Sequence, residues 1–516
     1  MTTNSDLIAT WTYHNDTKHS QHSIRSSRHS LDWDNQPLAF KIYSSLDPLP
    51  LPQDFSPVSL SALTAIAATG ETPGIESLPT LPMLATLLFL SAGITKRRTY
   101  PRGEIYFRAA ACTGALYHID LYLVCGELPG LPAGVYHFGP HDFSLRRVRT
   151  GDYRGVLAEA TGNEHAVLHA PLSIMCTSTY WRNAWKYQAR AYRHCFWDAG
   201  TLIANFLAAA AGLHLPTQVV GGFVDATVNQ LLDLDTDREV TLAVLPVGWT
   251  AHLAPPPPSP IAPLAFPTVP LSPSEVEYPA IRTMHAASSL AMQTDVITWR
   301  GVPPQTSEVA PHGQLFPLRP DDSGLAPLSL DHVIRRRGSS RAFARQPITF
   351  AQLSTIVRSA TRGIAADFLQ PVGTTLTDLY LIVNAVEGIP AGTYVFRRHL
   401  NALELLRVGN FRREAGALGL GQDLPADASV DIFCLANLPP ILERFGNRGY
   451  RAAQLEAAII GGKCYLAAYG QRLGASGLTF FDDEVTTFFS PSATGKSVMF
   501  LTAIGIPTKQ RIEGSA

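Results

Sequence analysis

The chain has 516 residues, of which 46% are hydrophobic and 16% charged, with a formal net charge of −1. A length of this order predicts two domains or more, each with a sizeable core. The near-neutral balance excludes a general basic field for nucleic acid.

Taken in chain order, the first stretch, MTTNSDLIATWTYHNDTKHS, lacks the apolar core of a signal peptide. Histidines 14, 19, 22 and 29 do not have zincin spacing and are read as surface or substrate-facing, not as metal ligands. The run LPMLATLLFLSAGI (81–94) has helical periodicity and is too short to span a bilayer. A loop follows, then a strand in IDLYLVC (119–125), a PAG turn, and a second strand. A long helix is predicted from Tyr192 to Leu213, and VTLAVLPVG closes the set as a strand. Next comes APPPPSPIAPLAFPTVPLSPSEVEYP (254–279), whose proline density suits an extended connector. The second part repeats the order: a helix in FAQLSTIVRSATRGI, a strand in TDLYLIV, a PAG turn, a long helix from Tyr450 and a closing strand in SVMFLTAIG. Six cysteines (112, 125, 176, 195, 434, 464) show no CxxC or paired spacing. That argues against disulfides or a zinc site and for a reducing compartment, so the chain is expected to be cytoplasmic, without membrane or nucleic-acid partners.

The two parts are related at an offset of 258. LPAGVYHF (131–138) answers IPAGTYVF (389–396), DLYLVC answers DLYLIV, and GGFVDATV (221–228) answers TFFDDEVT (479–486), setting Phe223 on Phe481 and Asp225 on Asp483. Arg190, Tyr192 and Arg193 recur as Arg448, Tyr450 and Arg451. A period of domain length denotes a tandem duplication. The expected architecture is α+β, with domains at 1–253 and 280–516 joined by the linker 254–279. Within this repeat Lys186 and Tyr187 face Arg444 and Phe445. A lysine or tyrosine can move a proton where arginine and phenylalanine cannot, so the first pair is the catalytic candidate.

Several segments resemble the nitroreductase superfamily, specifically its tandem SagB-type dehydrogenases. These are the N-terminal TYHNDTKHS with LDW (31–33), the loop RAAACTGALYHID (108–120), KYQARAYR, VIRRRGSSRAFARQPITFAQL (333–353) and GLTFFDDEVTTFFSPSATGKSVMFLTAIG (477–505). The loop departs from the family pattern at Ala111, Cys112 and His118. The resemblance implies two nitroreductase-like domains in tandem forming a pseudo-dimer, FMN as cofactor, and Lys186 with Tyr187 as the catalytic pair. It implies flavin contacts from Arg108, Cys112, Thr113 and Gly114 of the loop and from Leu478, Thr479 and Phe480.

The halves divide these parts. No Lys or Arg occurs between Ile42 and Thr95, whereas the second half has Arg337, Ser339 and Arg341, with Lys496 and Ser497 as further phosphate candidates. A dianionic phosphate needs charge-assisted partners. The first half keeps CTGALY, and the second has QPVGTTLTD without the tyrosine. One complete flavin site is therefore expected. GKS without the rest of a Walker loop is not read as an ATP site, and Asp482 and Asp483 are read as helix-capping residues. The implied activity is hydride transfer from a small-molecule or peptide (azoline-like) substrate to FMN with Lys/Tyr-assisted proton removal. An NAD(P)H-dependent nitro- or quinone-type reductase and a non-catalytic flavin-binding protein are the alternatives.

Overall fold

The computed structural model describes residues 3–508 except 59, 71–73, 101–102, 305–309 and 321–327. The first half builds an antiparallel sheet from β1 (Pro48–Pro50), β2 (Ile119–Cys125), β3 (Gly134–Gly139), β4 (Ser144–Thr150), β5 (Leu172–Thr179) and β6 (Glu239–Val247), in the order β1-β4-β3-β2-β5-β6. The second half uses β7 (Leu315–Pro317), β8 (Thr377–Val383), β9 (Gly392–Arg397), β10 (Ala402–Val408), β11 (Val430–Ala436), β12 (Gly474–Leu478) and β13 (Ser497–Gly505). Their order is β7-β10-β9-β8-β11-β13-β12, the same path with one further edge strand. The two β-branched and aromatic runs predicted as first strands are β2 and β8, and both lie in sheet centres, almost wholly buried. Burial on both faces favours such near-continuous apolar runs over alternation.

The helices that matter for the site are α1 (Ile8–Asp16), α2 (Tyr180–Tyr187), α3 (Ala191–Gly212), α4 (Asp225–Leu231), α5 (Pro279–Ala287), α6 (Gln293–Trp299), α7 (Leu330–Arg336), α8 (Leu438–Phe445), α9 (Arg448–Gly470) and α10 (Asp482–Phe489). α3 and α9 are the repeated long helices, and they pack against each other along the pseudo-twofold axis. Glycine allows their close approach. A Cβ on Gly200 would lie 2.5 Å from the Ala458 Cβ, and one on Gly462 would lie 2.6 Å from the Ala204 Cβ. The run Tyr180–Gly212 is apolar and long enough to cross a bilayer, but its most apolar stretch is 94% buried inside the protein. It is a core element, longer than the 81–94 run picked out by sequence.

Two mirrored ion clusters tie the halves together. Asp482 accepts from Arg190 Nη1 (2.9 Å) and Arg193 Nη1 (2.6 Å), while Asp225 accepts from Arg448 Nη1 (2.6 Å) and Arg451 Nη1 (2.9 Å). Each second arginine also clasps an arm from elsewhere in the chain: Arg193 Nη2 donates to His14 O on α1, and Arg451 Nη2 to His285 O on α5. These contacts correct three expectations. Asp225 corresponds to Asp482 and not to Asp483, so the repeat slips by one residue here. The Asp482 carboxylate is an ion-pair partner and not a helix cap, with no side-chain cap on α10. His14 is buried against Tyr450 and does not lie on the surface.

Candidate active site

The two inter-half pockets differ, and each serves as the other's control. In the first, the loop after Arg108 meets α7 and the segment following β12. α3 holds this loop with a polar stripe at three- and four-residue spacing. The Asp198 carboxylate accepts from Thr113 N (2.9 Å), Thr113 Oγ1 (2.8 Å), the Cys112 thiol (3.1 Å) and His118 Nε2 (2.7 Å). Thr201 Oγ1 donates to Ala111 O (2.7 Å), and Asn205 Nδ2 to Ala109 O (3.0 Å). The loop turns at Gly114, where φ is +65°, and a Cβ there would lie 2.8 Å from the Tyr187 hydroxyl. Only a residue without a side chain lets the phenol rest on the loop.

Above the loop, Tyr187 packs edge-on against His194, with ring centroids 4.6 Å apart, and Lys186 Nζ lies 5.4 Å from the phenol centroid. Burial, then the Asp198 carboxylate, holds the phenol well above its ordinary range, so it stays protonated. The Arg341 guanidinium acts on it in the opposite sense. His194 is buried; Nδ1 meets Asn183 Oδ1 at 2.7 Å, and Nε2 has no partner among the described residues. Burial, and next Arg190, keeps this imidazole neutral.

From the second half, Arg337 donates through Nε to Ala109 O and through Nη2 to Arg108 O, both at 2.9 Å. Arg341 is exposed, and no carboxylate among the described residues pairs with either guanidinium. Ser339 is exposed, with Oγ 3.2 Å from Tyr465 Oη, and the next residue, Ser340, donates its N–H to Ala475 O on β12. Past β12, the Thr479 Oγ1 atom is buried without a partner among the described residues. Phe480 is buried, its ring 5.6 Å from that of Trp197.

Other predicted site residues lie elsewhere. Lys496 is ion-paired to Asp378 (2.6 Å), and Ser497 opens β13 opposite Ala436. Ser339 bridges Ala475, whose β13 partner is Ile504. Seven residues of strand, roughly 23 Å, therefore separate Lys496 and Ser497 from the arginine cluster. The Arg108 guanidinium is buried and turned away, donating to Ile119 O and Ala39 O. The Cys112 and Thr113 polar groups are committed to Asp198. Asp198 and His194 were missed by sequence reasoning, though the polar stripe 194, 198, 201, 205 inside an apolar helix was the available signal.

The second pocket is plugged by the chain itself. Asp367 accepts from Gly221 N and Gly222 N, both at 2.8 Å, and the Trp299 and Phe368 rings pack on the same glycines. Arg448 Nε donates to Gly221 O (2.8 Å), and only about 10 Å³ of space remains. Residues 365–367 also lie along the 217–220 edge, with Val219 N donating to Ala365 O. In the first pocket the matching edge, at Ala475, is taken by Ser339 and Ser340. The pair opposite Lys186 and Tyr187 is structural here: Arg444 Nη2 donates to Arg300 O (2.8 Å), and its guanidinium stacks 4.5 Å over the Phe445 ring.

The nitroreductase family model matches residues 90–249 and 334–514, one segment in each half and together more than half of the chain. The chain belongs to the nitroreductase family. The crystal structure of a protein from Anabaena variabilis ATCC 29413 described as a nitroreductase superposes with a TM-score of 0.76 at 27% identity. The match covers 97% of this chain and 99% of that one, so the whole tandem arrangement is shared. A nitroreductase-like protein of Methanocaldococcus jannaschii is 27% identical over 169 residues, 33% of this chain and 80% of its own length. These nitroreductase halves thus form a fused dimer with one inter-half site open to solvent at Gly114, Ser339 and Arg341 and the other plugged, and the family is one of oxidoreductases.

Proposed function

We propose that the chain is an FMN-dependent dehydrogenase with one flavin per chain, acting on a small-molecule or peptide substrate with an azoline-like ring. The observation that carries this reading is the contrast between the pockets. One has two guanidinium groups without carboxylates, an orphaned buried Thr479 hydroxyl and a glycine turn; the other has its N–H groups capped by Asp367. A phosphate suits paired arginines at an exposed turn, and an unpartnered buried hydroxyl is costly unless a ligand completes it. Arg337, Ser339 and Arg341 would hold the phosphate, and Gly114 and Thr479 would meet the ring system.

Bound FMN supplies the hydride acceptor. Tyr187, kept protonated by burial and Asp198, donates a hydrogen bond to the substrate heteroatom and orients it. Lys186, on the same helix end and without a carboxylate partner among the described residues, takes the substrate proton. His194 buttresses the phenol edge and, being neutral, adds no charge that would lower the phenol's hold on its proton.

One observation favours a second reading, the NAD(P)H-dependent reduction of a nitro or quinone acceptor: a phenol held protonated also suits delivering a proton to a reduced product. Anaerobic single-turnover mixing separates the two. A thiazoline-bearing peptide that bleaches the flavin supports the dehydrogenase. Bleaching by NADPH, with turnover on a nitroaromatic and none with the thiazoline, replaces it with the reductase.

A further inference from the structure

We propose that Cys112, His118 and Asp198 form a mononuclear site for a divalent cation of the zinc type, built into the loop of the open pocket. The Cys112 Sγ, His118 Nε2 and an Asp198 oxygen all lie within 4.8 Å of one another. Sulfur, imidazole and carboxylate together are a donor set suited to Zn²⁺, and shifts of under about 1 Å from hydrogen-bonding separations bring such atoms to tetrahedral ligand distances.

The internal repeat argues that these residues do more than clamp a loop. At the position of Asp198 the second half has Glu456. This carboxylate also clamps its loop, accepting from Leu376 N (3.0 Å) and Thr377 Oγ1 (2.9 Å) and from Thr375 Oγ1. Hydroxyls and one N–H suffice there, and the residues matching Cys112 and His118 are Gln370 and Leu376. The thiol and the imidazole therefore occur only in the half whose loop faces the open pocket, at two of the positions that depart from the family pattern.

The surroundings are those a metal site needs. The second nitrogen of His118, Nδ1, lies 2.8 Å from Ser178 Oγ, which orients the ring and can accept its proton when Nε2 binds a cation. Tyr117 N donates to Cys112 Sγ (3.1 Å), a contact that stabilises a thiolate. Thr113 holds Asp198 Oδ1 through its hydroxyl and N–H, and the same N–H also reaches Oδ2 (3.0 Å), the oxygen shared by Cys112 and His118. His118 is buried, but Cys112 is half-buried and Gly114 exposed, so an ion can enter from the loop side. Binding displaces the thiol proton to solvent and moves the imidazole proton from Nε2 to Nδ1, where Ser178 Oγ accepts it, and the cation takes the place of the Cys112 and His118 hydrogen bonds to Asp198. The absence of CxxC spacing, which argued against zinc in the sequence, does not bear on ligands brought together by a loop and a helix.

The test is titration of the flavin-loaded full chain with Co²⁺, followed by displacement with Zn²⁺. One equivalent of Co²⁺ should bind with tetrahedral d–d absorption at longer wavelength than the flavin bands. Cys112→Ser and His118→Gln should each remove it, and Ser178→Ala should weaken binding roughly 10–100-fold. Cys112→Ser retains a hydrogen bond to Asp198, so the loop keeps its shape, which circular dichroism and flavin content verify. Cys112 is also the one cysteine of the six that is not buried. Its alkylation in the unmutated protein should therefore stop at one equivalent of Zn²⁺, a readout that needs no variant. No stoichiometric cobalt, cobalt binding unchanged by both substitutions, or alkylation unaffected by Zn²⁺ would each overturn the proposal.

Discussion

At the residue scale, the two halves differ most tellingly where Lys186–Tyr187 face Arg444–Phe445. Lys186→Ala and Tyr187→Phe should each lower turnover by about 10²–10⁴-fold with flavin retained, and the double variant should be little worse than the worse single one. Arg444→Ala should instead loosen the plugged pocket, read as a lower unfolding midpoint with flavin reduction unchanged. Equal catalytic damage from both sides would remove the assignment. Two buried carboxylates make opposite pH predictions. Burial pushes Asp482 up, but Arg190 and Arg193 outweigh it and bring it down to about 2. Its stabilisation is present above the unfolded value near 3.8 and is lost as pH falls through about 2. Asp482→Asn, which leaves two buried cations short of their partner, should cost about 3–5 kcal/mol at neutral pH. Burial raises Asp367 to about 6, against the two glycine N–H groups that lower it. Its contribution is full below about 3.8 and disappears as pH rises through about 6, a change of about 3 kcal/mol. Urea unfolding of Asp367→Asn should lack that slope between the two values.

At the element scale, the strands and long helices were legible because their apolar periodicity repeats at one offset: β2 and β8, β3 and β9, and α3 and α9 fall where the patterns place them. The one-residue slip between Asp225 and Asp482 was not legible, since Phe and Asp occur on both sides of it and only the paired arginines reveal the true register. Nor were the plugs: Trp299 and Asp367 reach Gly221 and Gly222 from distant parts of the chain, and nothing local marks them. Lys496 was misplaced for a related reason. A GKS triplet reads as an anion site in one dimension, but strand length carries it to the far end of β13. The close helix pair makes its own prediction. Gly200→Leu or Gly462→Leu forces α3 and α9 apart where backbone and Cβ atoms already touch. A loss of at least the 1–3 kcal/mol typical of overpacking is expected in denaturant unfolding, with weaker flavin retention because α3 also carries Asp198. An unchanged midpoint would show that the two helices do not share a fixed interface.

At the scale of the whole molecule, the two inter-half pockets of the tandem repeat differ in what fills them. The open one keeps the arginine turn, the glycine loop and the Lys186–Tyr187 pair for which proton transfer is proposed, each from a different part of the fused dimer. The other is filled by Asp367, Phe368 and Trp299. The measurement that tests this most directly is the flavin content of the purified chain, by absorbance after denaturation against protein concentration, before and after Arg337→Ala with Arg341→Ala. The account predicts one FMN per chain, lost in the double variant because a phosphate without its cations is costly to desolvate. Two flavins per chain, or one that survives removal of both arginines, would contradict it.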